Sequence, residues 1–161
     1  MAYALRLLTP SDEPALWEML YHAIHVPPGA VQPPRTIVQQ PELARYVAGW
    51  GRPDDLGFLA LDAAGQPVGA AWLRLLTGDA RGYGYVDDCT PELSVALLPG
   101  HRGRGLGTRL LERLLDAAQE RFQIISLSVS MDNPALRLYK RLGFRSAGVQ
   151  GTSLTMVKTL R

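Results

Sequence analysis

The chain has 161 residues, 47% of them hydrophobic and 20% charged, which is enough to bury a core and excludes a disordered chain. No apolar run approaches a membrane span, the start MAYALRLLTPSDEPAL lacks the features of a signal peptide, and one cysteine, Cys89, excludes an internal disulfide. The net charge of +2 hides a split: residues 1–100 carry 6 Arg/Lys against 11 Asp/Glu, residues 101–161 carry 11 against 4. That split suggests an anionic ligand for the second part and a cationic one for the first, against the plainer reading of a dipolar solvated surface.

Residues 3–8 (YALRLL) read as a short strand, after which Thr9-Pro10-Ser11-Asp12 opens an amphipathic helix with Ala15, Leu16, Met19, Leu20 and Ala23 on one face. The segment 26–34 (VPPGAVQPP) is irregular, and PELARYVAGW, 41–50, fits a second helix with Pro41 in its first turn. The period then changes. LGFLALD (56–62) and PVGAAWLRLL (67–76) read as a hairpin around Ala63–Gln66. A loop covers 77–84 and a strand 91–98, followed by a long helix at about 105–121 with Leu106, Leu110, Leu111, Leu114, Leu115 and Ala118 buried. IISLSV (124–129) is a strand. NPALRLYKRLG (133–143) is a helix with Asn133 as N-cap, Pro134 in the first turn and Gly143 past the end. FRSAG and TSLTMVKTL supply the last strands. The order β-α-α-β-β-β-α-β-α-β-β predicts a single α/β domain over 1–161, a mixed sheet flanked by helices.

The densest signal lies at Arg102–Arg109, which holds three glycines and three arginines and leads into the long helix. Arginines oppose the positive end of a helix dipole unless an anion binds there. Free backbone N–H groups and close approach over glycine suit a polyphosphate. No lysine follows Gly105 or Gly107 as a Walker A loop needs, and the G-x-G-x-G pattern lies too late in the chain for a Rossmann fingerprint.

The run Arg102-Gly103-Arg104-Gly105-Leu106-Gly107 resembles R/Q-x-x-G-x-G/A, the signature of the GNAT superfamily of acetyl-CoA-dependent N-acetyltransferases. PELSVALLP resembles that family's central strand, DNPALRLYKRLGF its segment at the thioester end of the cofactor, and LRLLTPSDEPAL its opening. The resemblance implies that the amides of Gly103–Thr108, with Arg102 and Arg104, hold the pyrophosphate of acetyl-CoA. It implies that Val95, Ala96 and Leu97 pair main chain to pantetheine where two strands splay apart. It also implies that Asn133 contacts the thioester end and that Tyr139 is the general acid. In many members the Asn lies one residue further from the Tyr, where this chain has Asp132.

Glu92 shares a strand face with Ser94 and Ala96, and a carboxylate on such a face suits a base acting through water, the alternative being a strand-end charge in solvent. The glutamate that some peptide-terminus acetyltransferases carry on the next strand is absent from SLSVS. Tyr139 could also pack its helix on the sheet, and Asn133 could serve only as a cap. Cys89 reads as a half-buried small hydrophobe. His22, His25 and His101 form no metal set, although His22 and His25 could share a helix face. Asp54, Asp55, Asp79, Asp87 and Asp88 read as solvated turn formers or as a cluster receiving a cationic amine. The expected activity is direct acetyl transfer in a ternary complex to a primary amine of a small molecule or peptide, the alternative being a non-catalytic acyl-CoA-binding or sensory module. A cytoplasmic location, no nucleic acid, no membrane and no metal complete the expectations; the resemblance allows a homodimer, which the family often forms, and the sequence leaves the oligomeric state open.

Overall fold

The computed structural model describes residues 2–161. Seven strands form one sheet in the order β1-β2-β3-β4-β5-β7-β6, with β1 at Ala4–Leu7, β2 at Leu56–Leu61, β3 at Pro67–Arg74, β4 at Glu92–Leu97, β5 at Ile124–Ser130, β6 at Arg145–Gln150 and β7 at Ser153–Thr159. All neighbours are antiparallel except β4 and β5, which run parallel. The helices are α1 (Glu13–Ala23), α2 (Pro41–Ala44), α3 (Leu106–Ala118) and α4 (Ala135–Arg141). No helix among the described residues is long and apolar enough to cross a membrane.

Strand alternation sorts the interior into two cores. Phe58, Ala71, Leu73, Leu93, Ile125, Leu127 and Val129 face α3 and α4, meeting Leu106, Leu110, Leu111, Leu114 and Tyr139. Leu59, Ala70, Trp72 and Ala96 face the other way, onto Leu16, Met19 and Leu20 of α1 and Tyr46, Val47 and Trp50 after α2. This second core stops at β4. The same face of β5 carries Ser126, Ser128 and Ser130, whose partners on β7 are Val157, Thr155 and Ser153.

Two helices end as their sequences dictate. At the front of α1, Asp12 accepts the Thr9 amide at 2.7 Å and pairs with Arg6 at 2.8 Å, so a carboxylate sits at the dipole's positive end. Past α4, the Phe144 amide bonds Tyr139 O at 3.0 Å and the Gly143 amide bonds Lys140 O at 3.1 Å, with Gly143 at φ 99°. This is a Schellman closure, and its left-handed residue suits glycine.

The expected helix at 41–50 is cut to Pro41–Ala44, and residues 45–49 form tight turns. The cause is Arg74 at the end of β3, whose Nη1 takes the carbonyls of Arg45 at 3.0 Å and Ala48 at 2.7 Å. Its Nε and Nη2 grip Asp55 at 3.0 and 2.8 Å, and the guanidinium lies 5.3 Å from the Trp50 ring. Both side chains of the ion pair are buried, 1% and 3% exposed, so Asp55 is not the solvated turn former expected. Cys89, expected half-buried, is exposed.

Candidate active site

β4 and β5 meet at one register point, Glu92 opposite Ser126, where the Ser126 amide bonds Pro91 O at 3.0 Å. Beyond that point the strands part. Main-chain groups alternate along a strand, and the Leu98 amide bonds Val68 O on the β3 side. Val95 and Leu97 therefore turn their N–H and C=O groups into the gap. Those of Ala96 turn to Ala70 on β3, so Ala96 cannot pair main chain to a ligand in the gap as expected, and its side chain packs in the α1-side core. Arg102 Nε takes the Leu97 carbonyl, and the Val95 groups with the Leu97 amide, left unpaired, call for a partner with amides of its own.

The open end of the gap leads to the glycine loop. Gly103 (φ 74°) and Gly105 (φ 78°) are left-handed, and a Cβ built on either meets no atom within 4 Å. A Cβ on Gly107 would only touch Leu97, at 3.6 Å. Gly105 caps α3, so the amides of Leu106, Gly107 and Thr108 precede the first helical bond, which runs from Arg109 N to Gly105 O at 3.2 Å. Arg102 folds back, its Nε donating to Leu97 O at 3.2 Å and its Nη2 reaching His22 O at 3.5 Å. Arg104 reaches the Tyr3 hydroxyl at 3.5 Å, which in turn bonds His101 Nδ1 at 2.8 Å. An open cradle of amides with arginines at its edge fits the phosphates of coenzyme A.

At the closed end of the gap stands Glu92, 5% exposed, which removes the reading of a strand-end charge in solvent. Its Oε2 accepts the Tyr46 hydroxyl at 2.5 Å and its Oε1 the Gly84 amide at 3.0 Å. Burial pushes its carboxyl up to about 7, against the pull of those two donors. Tyr139 lies in the core under the sheet, edge-on to Phe144 at 5.9 Å, and burial pushes its hydroxyl up to about 12. That hydroxyl makes no hydrogen bond to another described residue.

Asn133 caps the start of α4 through Oδ1, which accepts the Ala135 amide at 2.9 Å. The neighbouring Asp132 faces His25, Oδ1 to Nε2 at 3.2 Å but outside hydrogen-bonding geometry, so a contact spans from the segment after α1 to the turn after β5. His25 has left α1, and His22 instead pairs with Glu18 at 3.0 Å, so the two histidines share no helix face. No group of three metal-binding side chains occurs among the described residues. Asp87 and Asp88 are exposed and brace their own turn: Asp87 accepts the Cys89 amide at 2.9 Å and Asp88 the Tyr85 hydroxyl at 2.7 Å.

Sequence reasoning did not find Tyr46, Arg74, or the loop Gly82-Tyr83-Gly84-Tyr85. The two glycines spaced by an aromatic residue were the available signal. A Cβ on Gly84 would stand 2.8 Å from the Leu127 main chain, so only glycine lets this loop lie against β5 beside Glu92.

Comparison with known proteins gives the same outline. A mycothiol acetyltransferase of Clavibacter sepedonicus is 36% identical over 126 residues, covering 71% of this chain and 38% of that protein, so the chain spans well under two thirds of this relative. A PaiA N-acetyltransferase of Thermoplasma acidophilum, solved in complex with coenzyme A, superposes with a TM-score of 0.70 at 19% identity, over 99% of both chains. Mutant forms of the spermidine/spermine N-acetyltransferase of Vibrio cholerae superpose at 0.63 with 20% identity, over 99% of this chain and 95% of that one. The sequence model of the acetyltransferase (GNAT) family matches residues 17–144, and the chain belongs to that family.

Proposed function

We propose that this chain moves an acetyl group from acetyl-CoA to a primary amine, directly, with both substrates bound. The observation that carries the reading is the β4–β5 gap, open from Glu92 to the amide cradle at Gly103–Thr108. β4 spans six residues, about 20 Å at roughly 3.3 Å per residue, and offers the main chain of Val95 and the amide of Leu97 along that length. Acetyl-CoA, when bound, supplies the activated thioester. Glu92 takes the proton that the ammonium form of the acceptor must lose, through a water, and passes it to solvent. Tyr139 donates its hydroxyl proton to the departing sulfur and is reprotonated by the second proton that the acceptor nitrogen sheds as the amide forms, so one proton in all leaves with solvent. Asn133, already spent on its cap, orients the turn in which the thioester end would lie.

The acceptor class is a cationic amine. Asp87 and Asp88 stand exposed on the loop that leads into β4, and the spermidine/spermine enzyme that shares the fold is named for polycationic amines. Asp55 no longer counts towards this field, because Arg74 neutralises it. Thiol release from acetyl-CoA across a panel of amines, with product masses, tests the reading. Turnover is expected for di- and polyamines, with an acceptor KM that rises with salt. Failure to release thiol with any amine of the panel would refute the activity, and a free acidic amino acid as best acceptor would refute the charge argument.

A further inference from the structure

Tyr46 lies just beyond α2, in no helix or strand, yet its hydroxyl is the hub of a buried network. It donates to Glu92 Oε2 at 2.5 Å and accepts the Tyr83 amide at 2.8 Å. The Gly84 amide takes the other carboxylate oxygen. Two chain segments thus hold Glu92 by both oxygens. The loop can come so near only because Gly82 lacks a side chain: a Cβ there would collide with Glu92 Oε1 and stand 2.5 Å from the Tyr46 hydroxyl.

The charged groups around Glu92 leave this task to Tyr46. Arg74 is the cross-strand partner of Glu92 on β3, but its guanidinium is committed to Asp55 and to the carbonyls of Arg45 and Ala48. Tyr83 gives only its main chain. On β5, in register with Glu92, the Ser126 hydroxyl is wholly buried and has no partner among the described residues. Among those residues no cation balances the carboxylate. Burial and the Glu92 charge raise the Tyr46 phenol well above its ordinary range, so it stays protonated and serves as a donor at every working pH.

We propose that Tyr46 is the positioning residue for Glu92: its hydroxyl, with the Gly82–Gly84 loop, fixes the carboxylate's orientation and keeps it ionised for proton removal. The proposal rests on Glu92 being the base, as read above. Without the phenol, Glu92 retains one donor in a site that disfavours its charge. Tyr46→Phe keeps the ring that packs with Val47 and Trp72 and removes one oxygen.

The test is the pH profile of kcat/KM for acetyl transfer to an amine by the full chain, compared for wild type, Tyr46→Phe, Glu92→Gln and Gly82→Ala. Tyr46→Phe is expected to move the acid limb up by about one pH unit, lowering the rate about tenfold below the limb and restoring it at high pH, because one charge-directed hydrogen bond is worth about that shift. Gly82→Ala, which leaves Tyr46 in place but crowds its hydroxyl, is expected to move the limb the same way and serves if Tyr46→Phe fails to fold. Glu92→Gln is expected to lose the limb. If Glu92→Gln keeps the wild-type limb, the base assignment itself falls, and this proposal with it. If Glu92→Gln loses the limb while Tyr46→Phe and Gly82→Ala leave it unmoved, or lower the rate equally at every pH, the positioning role alone is refuted.

Discussion

Removing the carboxylate of Asp55 should be among the most damaging single changes away from the glycine loop. In Asp55→Ala the Arg74 guanidinium, 1% exposed, loses both bonds of its bidentate pair and keeps only the carbonyls of Arg45 and Ala48. The amides of Gly51 and Arg52, which Asp55 Oδ2 accepts at 3.0 and 2.9 Å, lose their partner as well. Breaking a buried pair from one side typically costs about 3–5 kcal/mol, because the remaining charge is uncompensated. For a chain of this size each kcal/mol lowers Tm by about 2–4 °C, so a fall of roughly 6–20 °C is expected. Urea unfolding followed by circular dichroism measures the loss. The double variant Asp55→Ala/Arg74→Met should recover much of it, since an apolar chain in place of the cation leaves no charge to desolvate. A loss under about 1 kcal/mol, or losses that simply add, would show that water reaches Arg74 and that the reasoning from burial is wrong.

Gly105→Val should weaken coenzyme A binding more than tenfold by calorimetry and cost about 1–2 kcal/mol of stability, since φ 78° is a left-handed conformation. Tyr139→Phe should lower kcat at least tenfold with coenzyme A affinity nearly unchanged; an unaltered kcat, with chemistry limiting, would place the acid elsewhere. Asp12 is held at about 2 by Arg6 and the Thr9 groups, below its ordinary 3.8. Its folded value is depressed, so its stabilisation is present above about pH 4 and is lost as pH falls towards 2. Tm measured over that range should drop less steeply in Asp12→Asn than in wild type.

Local signals explain why the order of elements was legible. The leucine stripe of α3, the Asn133–Gly143 punctuation and the hairpin turn at Asp62–Gln66 act within a few residues of themselves. The glycine loop was legible for the same reason. Tyr46 and Glu92 are 46 residues apart, and Asp55 and Arg74 are 19 apart, so each pair exists only once the strand register is set. An Asp-Asp run in a loop looks solvated until Arg74 is known to end β3 directly beneath it. Alternation correctly placed Glu92 on the face of Ala96, but the burial of that face depends on α1 and residues 45–50, which sequence period alone does not locate. Ala96 shows the same limit at atomic scale, because which main-chain groups face the gap is decided by the Leu98–Val68 bond.

The single rung between Glu92 and Ser126 divides the sheet into two leaves, β1–β4 and β5–β6 with β7 between, that share a core on one face but scarcely share a ladder. A molecule lying along Val95 and Leu97 becomes the missing ladder, so the ligand acts as a staple as well as a reactant. At a hundred times its Kd such a ligand adds about 2.7 kcal/mol to the folded state. The amides that exchange slowly only in its presence should be those of the gap. In the proposed activity the cleft that takes the ligand is also the seam with the fewest rungs in the sheet, so binding there closes it.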